Sequence, residues 1–193
     1  MKIAGGRWRG RRLDAGPDAS IRPTGDRMRQ ALFNILAHGP AWRRAEGPLP
    51  LDAQVLDAFA GSGAMGMEAL SRGAARALFL ERDPAACDLI RRNLAGLSGL
   101  PAGAGQVLRR DATAPGTPPA GFAADLAFLD PPYGQGLAER ALPALLSGGW
   151  LRPGAAVVVE TGAGEPLVQP EGFILRDERR YGIARALFLQ APQ

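Results

Sequence analysis

The stretch Val55-Leu56-Asp57-Ala58-Phe59-Ala60-Gly61-Ser62-Gly63-Ala64-Met65-Gly66 decides the fold. Its apolar pentad, broken only by Asp57, reads as a buried strand, and a helix follows to about Ser71, closed by Gly73. Glycines at 61, 63 and 66 let a ligand approach the backbone, while the helix start offers unpaired N–H groups. Outward from this unit the pattern repeats. Strands are expected at 77–81, 106–109, 123–129 and 155–160, with helices at 84–97 and 136–146 between them. Residues 173–180 and 183–189, joined around Tyr181-Gly182, read as an antiparallel pair completing the sheet. Such alternation predicts an α/β fold, a mainly parallel sheet with helices on both faces.

The second telling stretch is Leu129-Asp130-Pro131-Pro132-Tyr133. Asp130 ends a buried strand, where open α/β sheets place their ligands. Neither proline has an N–H, and Pro132 holds Pro131 extended. The corner therefore presents a carboxylate, a carbonyl with no adjacent donor, and an aromatic ring. These suit a planar heterocycle with an amino group: two acceptors for its N–H bonds and a ring for its face. A lone strand-ending proline turn is the plainer reading, but the glycine loop beside it shifts the balance.

Three more carboxylates point to the cofactor. Glu81 lies 20 positions after Gly61, at the end of the second strand, and can accept from both hydroxyls of a ribose. Asp57 can face a cationic amino-acid tail, which S-adenosylmethionine has and NAD lacks. Asp111, ending the third strand, can accept from an adenine amino group. Against these stand a satisfied buried carboxylate for Asp57 and a cap for Asp111.

The chain has 193 residues, 46% of them hydrophobic, enough for one well-buried domain with a small appendage. Net charge is +4, and Lys2 is the only lysine. The basic charge is uneven: Arg7, Arg9, Arg11, Arg12, Arg22, Arg27 and Arg29 fall in the first thirty residues. Interleaved with Trp8, they read as a basic hairpin or arm suited to phosphate and base contact. A helix follows at 25–37, with Thr24 as its expected cap. The proline-containing loop at 41–51 divides residues 1–50, a basic arm and helix, from a main domain at 51–193. One cysteine, Cys87, and one histidine, His38, leave no disulfide, His-based triad or multi-histidine metal site. Cys87, Trp42 and Trp150 read as packing residues and His38 as a helix end. With no apolar run of membrane-spanning length, a soluble, cytoplasmic, monomeric protein is expected.

Four segments occur in order: Arg22-Pro-Thr-Gly-Asp-Arg-Met-Arg-Gln-Ala-Leu-Phe-Asn-Ile-Leu36, Leu56-Asp-Ala-Phe-Ala-Gly-Ser-Gly63, Glu68-Ala-Leu-Ser-Arg-Gly-Ala74 and Asp130-Pro-Pro-Tyr133. Together they resemble the bacterial RsmD family of small-subunit rRNA guanine-N2 methyltransferases, over nearly the whole chain. Gln30 stands where that pattern has glutamate. The resemblance implies a Rossmann-like class I methyltransferase domain with seven strands, the last antiparallel. It implies S-adenosylmethionine as donor, and guanine 966 of 16S rRNA, in the small ribosomal subunit or its assembly intermediate, as substrate. By position, Asp57, Gly61 and Gly63 would meet the methionine half of the cofactor, Glu81 its ribose and Asp111 its adenine. Asp130, the Pro131 carbonyl and Tyr133 would hold the base. Arg7, Arg9, Arg11, Arg22, Thr24 and Pro132 are the remaining expected substrate contacts. The rivals are an amino-group methyltransferase acting on DNA adenine or protein glutamine, an NAD-binding oxidoreductase, and a non-catalytic RNA-binding module.

Overall fold

The computed structural model describes residues 1–16, 25–165 and 170–193. The elements are α1 (Asp26–His38), β1 (Gln54–Ala58), α2 (Ala64–Ser71), β2 (Arg76–Glu81), α3 (Pro84–Ala95) and β3 (Gly105–Arg109). They continue with β4 (Ala124–Leu129), α4 (Leu137–Ser147), β5 (Leu151–Gly162), β6 (Ile174–Tyr181) and β7 (Ala184–Gln190). Seven strands form one sheet in the order β3-β2-β1-β4-β5-β7-β6. The first five are parallel, β7 runs antiparallel to β5, and β6 antiparallel to β7.

This order places the ligand site. The chain moves outward from β1 through β2 to β3, then returns to lay β4 on the other side of β1. At that reversal the loops after β1 and β4 diverge and leave a crevice. Asp57 pairs with Phe128 and Ala58 with Leu129, so the glycine turn and Asp130 leave the sheet side by side.

Two apolar layers flank the sheet. One packs Phe33 and Leu36 of α1, Met67 of α2 and Ile90 of α3 against Val55, Phe79 and Phe128. The other packs Leu142 and Leu145 of α4 with Trp150 against Leu56, Leu78 and Val157. Phe33 stacks tilted on Phe128 with centroids 5.3 Å apart, and Trp42 meets Phe188 at 6.4 Å. Each such fully buried side chain contributes roughly 1.5–3 kcal/mol. Ile3, Leu13 and Trp42 belong to the same cluster as Val55, so side chains from both sides of the expected boundary at 50 share one core. Cys87 and Trp150 are buried as expected, and His38 is the exposed last residue of α1.

Two local expectations change. Gly25 holds the cap position of α1 without a side-chain bond, while Thr24 lies outside the described residues. Strand β5 begins at Leu151 rather than 155. Pro153 and Gly154 (φ 72°) interrupt its pairing, and a register shift between Ala124 and Leu126 absorbs them before pairing resumes at Ala156. Among the described residues no helix is long and apolar enough to cross a membrane.

Candidate active site

The glycine turn is built by close packing. Gly63 has φ 77°, and a methyl on it would lie 2.9 Å from Met67 Cε. A methyl on Gly66 would collide with the Phe79 ring, so only glycine lets α2 sit this close to β2. Phe59, directly before the turn, has φ 61°, a strained conformation for a bulky side chain and one that re-aims the chain as it leaves β1.

Around the turn the three expected carboxylates gather with Asp130. Asp57, Gly61, Glu81, Asp111, Asp130 and Pro132 all line one cleft of about 870 Å³. Asp57 is buried and accepts the Gly66 N–H on Oδ2 at 2.8 Å. Burial pushes its carboxyl up to about 8; the Gly66 N–H opposes this, while the nearby Asp130 and Glu81 charges add to it. Glu81 accepts from the Gly61 N–H on Oε2 and from the Asp83 N–H on Oε1, both at 2.9 Å. Its carboxylate is thus fixed against the glycine turn. Asp111 takes the Thr113 N–H and hydroxyl on Oδ1 at 2.8 and 2.7 Å. These bonds, the backbone one first, hold its carboxyl below the usual range. The plainer readings of Asp57 and Asp111 hold in part: each is satisfied locally, and each still faces the cleft.

The elbow after β4 divides its groups between two surfaces. Asp130 and Pro132 face the cleft, whereas Pro131, Pro132 and Tyr133 line a small depression beside it, about 10 Å³ in volume. Tyr133 donates its hydroxyl to Glu160 Oε1 at 3.0 Å, and Glu160 is buried at the end of β5. Gly134 N–H donates to Glu165 Oε1 at 2.8 Å. Glu160 and Glu165 were not expected here. Glu160 did carry a signal, since it ends the apolar run Ala155 to Val159 as Asp130 ends its own strand.

The arginine-rich segment is a hairpin, with an isolated antiparallel bridge between Lys2 and Arg12. Its tip is held by the end of α2. Ser71 accepts the Arg7 N–H on its carbonyl at 2.7 Å and the Trp8 N–H on Oγ at 2.9 Å, and donates to the Gly5 carbonyl. Glu68, fully buried, accepts the Ala4 N–H and the Arg72 Nε–H, both at 2.7 Å. Trp8 Nε1 donates to the Ser98 carbonyl at 2.9 Å. Arg7, Arg9 and Arg11 are exposed, but this tip sits at the last turn of α2, whereas the cleft opens at its first. Eight helical residues span roughly 12 Å. Only the hairpin's base nears the cleft: Asn93 ties Asp14 to the Ser62 carbonyl, and Met1 and Asp14 line the wall. Arg22 lies outside the described residues.

The family model described as Conserved hypothetical protein 95 matches residues 1–190. Ribosomal RNA small subunit methyltransferase D of Escherichia coli K12 is 38% identical, with 100% of this chain and 91% of the relative covered. The chain belongs to this methyltransferase family. Its Haemophilus influenzae member, of the same name, is 37% identical over 95% of this chain and 90% of its own length. The solved structure of yhhF from Escherichia coli superposes with a TM-score of 0.81 at 36% identity, covering 100% of this chain and 98% of that one. The family match, over residues 1–190, takes in the hairpin as well as the sheet.

Proposed function

We propose that the protein transfers a methyl group from S-adenosylmethionine to the exocyclic N2 of a guanine in small-subunit (16S) ribosomal RNA. The observation carrying this reading is the shared cleft: Asp130 stands in one wall and Asp57, Gly61, Glu81 and Asp111 in the others. The donor set fits S-adenosylmethionine. Asp57 answers a cationic tail, Glu81 a ribose, and Asp111 an adenine amino group, with the α2 N-terminus beside them. The cofactor supplies an electrophilic methyl on a positively charged sulfur. NAD offers nothing cationic of that kind to Asp57.

The protein's own groups prepare the nucleophile. A guanine amino group is unreactive because its lone pair is delocalised into the ring. Asp130 in the cleft wall would accept one of its N–H bonds and the carbonyl of Pro131, set between the cleft-lining Asp130 and Pro132, the other, favouring a pyramidal nitrogen with its lone pair directed toward the methyl. Positive charge grows on that nitrogen as the N–C bond forms and the methyl's bond to sulfur would break, its electron pair staying on sulfur. A fixed carboxylate stabilises this transition state more than the ground state, and the surplus N–H proton then leaves to solvent. The base must leave its stack to reach the elbow. The depression at Tyr133 is far too small for a base, so the base rests on the Pro132–Tyr133 surface, with the Tyr133 ring held by Glu160. The exposed Arg9 and Arg12 hold more distant phosphates of the same RNA.

The test is to incubate the protein with unmodified small subunits and methyl-labelled S-adenosylmethionine, then map the label. One N2-methylated guanine is the expected product. Label on another atom, on DNA, or on protein would overturn the assignment.

A further inference from the structure

The β6–β7 turn carries the most exposed large apolar side chain among the described residues, Ile183, at 83% accessibility. Its position is fixed by bonds that lead to the acidic elbow. Ala163 N–H, just past β5, donates to the Ile183 carbonyl at 2.8 Å. Arg185 Nη2 donates to the Glu165 carbonyl at 2.7 Å, and the Glu165 carboxylate holds the Gly134 N–H. A methyl on Gly162 would sit 3.4 Å from the Tyr133 ring. The turn is thus joined, through Gly162 to Glu165, to the residues directly after Asp130-Pro131-Pro132.

The chemistry of this hairpin selects a polyanion. Residues 174–190 contain Arg176, Arg179, Arg180 and Arg185 against Asp177 and Glu178. The side chains of Arg179 and Arg180 are 54% and 72% exposed, and their ion pairs with Asp177 and Glu178, at 2.9 and 3.8 Å, leave further guanidinium N–H donors for phosphate. An exposed aliphatic side chain on an arginine-bearing hairpin, tied to the elbow proposed above to receive an unstacked base, matches the wedges that fill the space such a base vacates. We propose that the β6–β7 turn is a second RNA-contacting surface: Ile183 inserts into the stack that the target guanine leaves, while Arg179 and Arg180 hold the flanking phosphates. The proposal rests on the RNA-methylation reading above.

Single-turnover methylation of unmodified small subunits, and of 16S rRNA stripped of protein, tests it. Ile183→Ala should lower the rate about tenfold on both substrates, as expected for loss of one stacking contact. Ile183→Leu should restore most of it, and the calorimetric affinity for S-adenosylmethionine should stay that of the wild type. A wild-type rate for Ile183→Ala would overturn the wedge. A loss on intact subunits alone would also overturn it, by showing that the turn meets a ribosomal protein. If the wild-type protein itself leaves small-subunit RNA unmethylated, the reading under Proposed function falls, and the wedge with it.

Discussion

Two hairpins carry arginines, and they meet the sheet at opposite ends. The N-terminal hairpin holds Arg7, Arg9, Arg11 and Arg12 in a few residues, yet its tip is bound to Ser71, where α2 finishes and the chain turns back toward β2. The β6–β7 hairpin has a mixed-charge strand, yet its turn is bound to the segment after β5, beside Tyr133. Charge density alone favours the first as the substrate contact; position relative to Asp130 favours the second. The difference separates two tasks for a long RNA. The N-terminal hairpin suits sequence-independent anchoring at a distance, and the C-terminal one local handling of the base.

The largest effect should come from the elbow at Asp130. Asp130→Ala is expected to reduce single-turnover methylation by about 10²–10³-fold, the usual loss of one preorganised electrostatic partner. Cofactor affinity by calorimetry should change little. Near-wild-type transfer would remove Asp130 from the chemistry and leave neither hairpin a centre to be measured from.

Next comes the cofactor wall, where proton linkage sets the sign. The Asp57 carboxyl, raised to about 8, is protonated at neutral pH, and a cationic ligand beside it favours the carboxylate. Binding therefore releases a proton, and affinity for S-adenosylmethionine should rise by up to about tenfold per pH unit toward that value and fall again as the ligand's own ammonium deprotonates near pH 8. The ligand-free protein should show the opposite trend, losing stability as pH rises toward 8. Asp57→Asn should flatten both profiles below that pH; titrations in buffers of differing ionisation enthalpy, together with thermal melts, would check it.

Glu68→Ala removes the buried partner of Arg72 and of the Ala4 N–H. A loss of about 2–3 kcal/mol is expected, measured by denaturant unfolding. A variant as stable as wild type would mean the hairpin is only lightly attached. The smallest effect should be Arg9→Ala combined with Arg12→Ala. RNA binding should weaken, with the salt slope reduced by about 1.5–2, while the rate at saturation stays near wild type. A rate loss equal to that of Ile183→Ala would erase the division between the hairpins.

Sequence periodicity revealed the sheet because β1, β2 and β4 are buried on both faces and read as apolar runs. The cleft's carboxylates were legible because each sits at or near a strand's carboxyl end, where α/β sheets place ligands. The docking of the N-terminal hairpin was not, since Trp8 meets Ser98 across 90 residues and no local pattern encodes such a pairing. Glu165 and Ile183 escaped for a similar reason: only the β5–β7 register brings their loops to the elbow. The start of β5 was hidden because Pro153 and Gly154 carry turn chemistry that a bulge overrides.

The Glu68–Ser71 clasp also bears on synthesis. The hairpin is made before α2, and Trp8 waits a further 90 residues for Ser98. At the usual 5–20 residues per second, that interval is roughly 5–20 s. Until Glu68 and Ser71 are made, within that interval, the nascent chain's most cationic stretch lacks the groups that fix its tip, so translation presents an untethered polycation to ribosomal phosphates before α2 can clasp it.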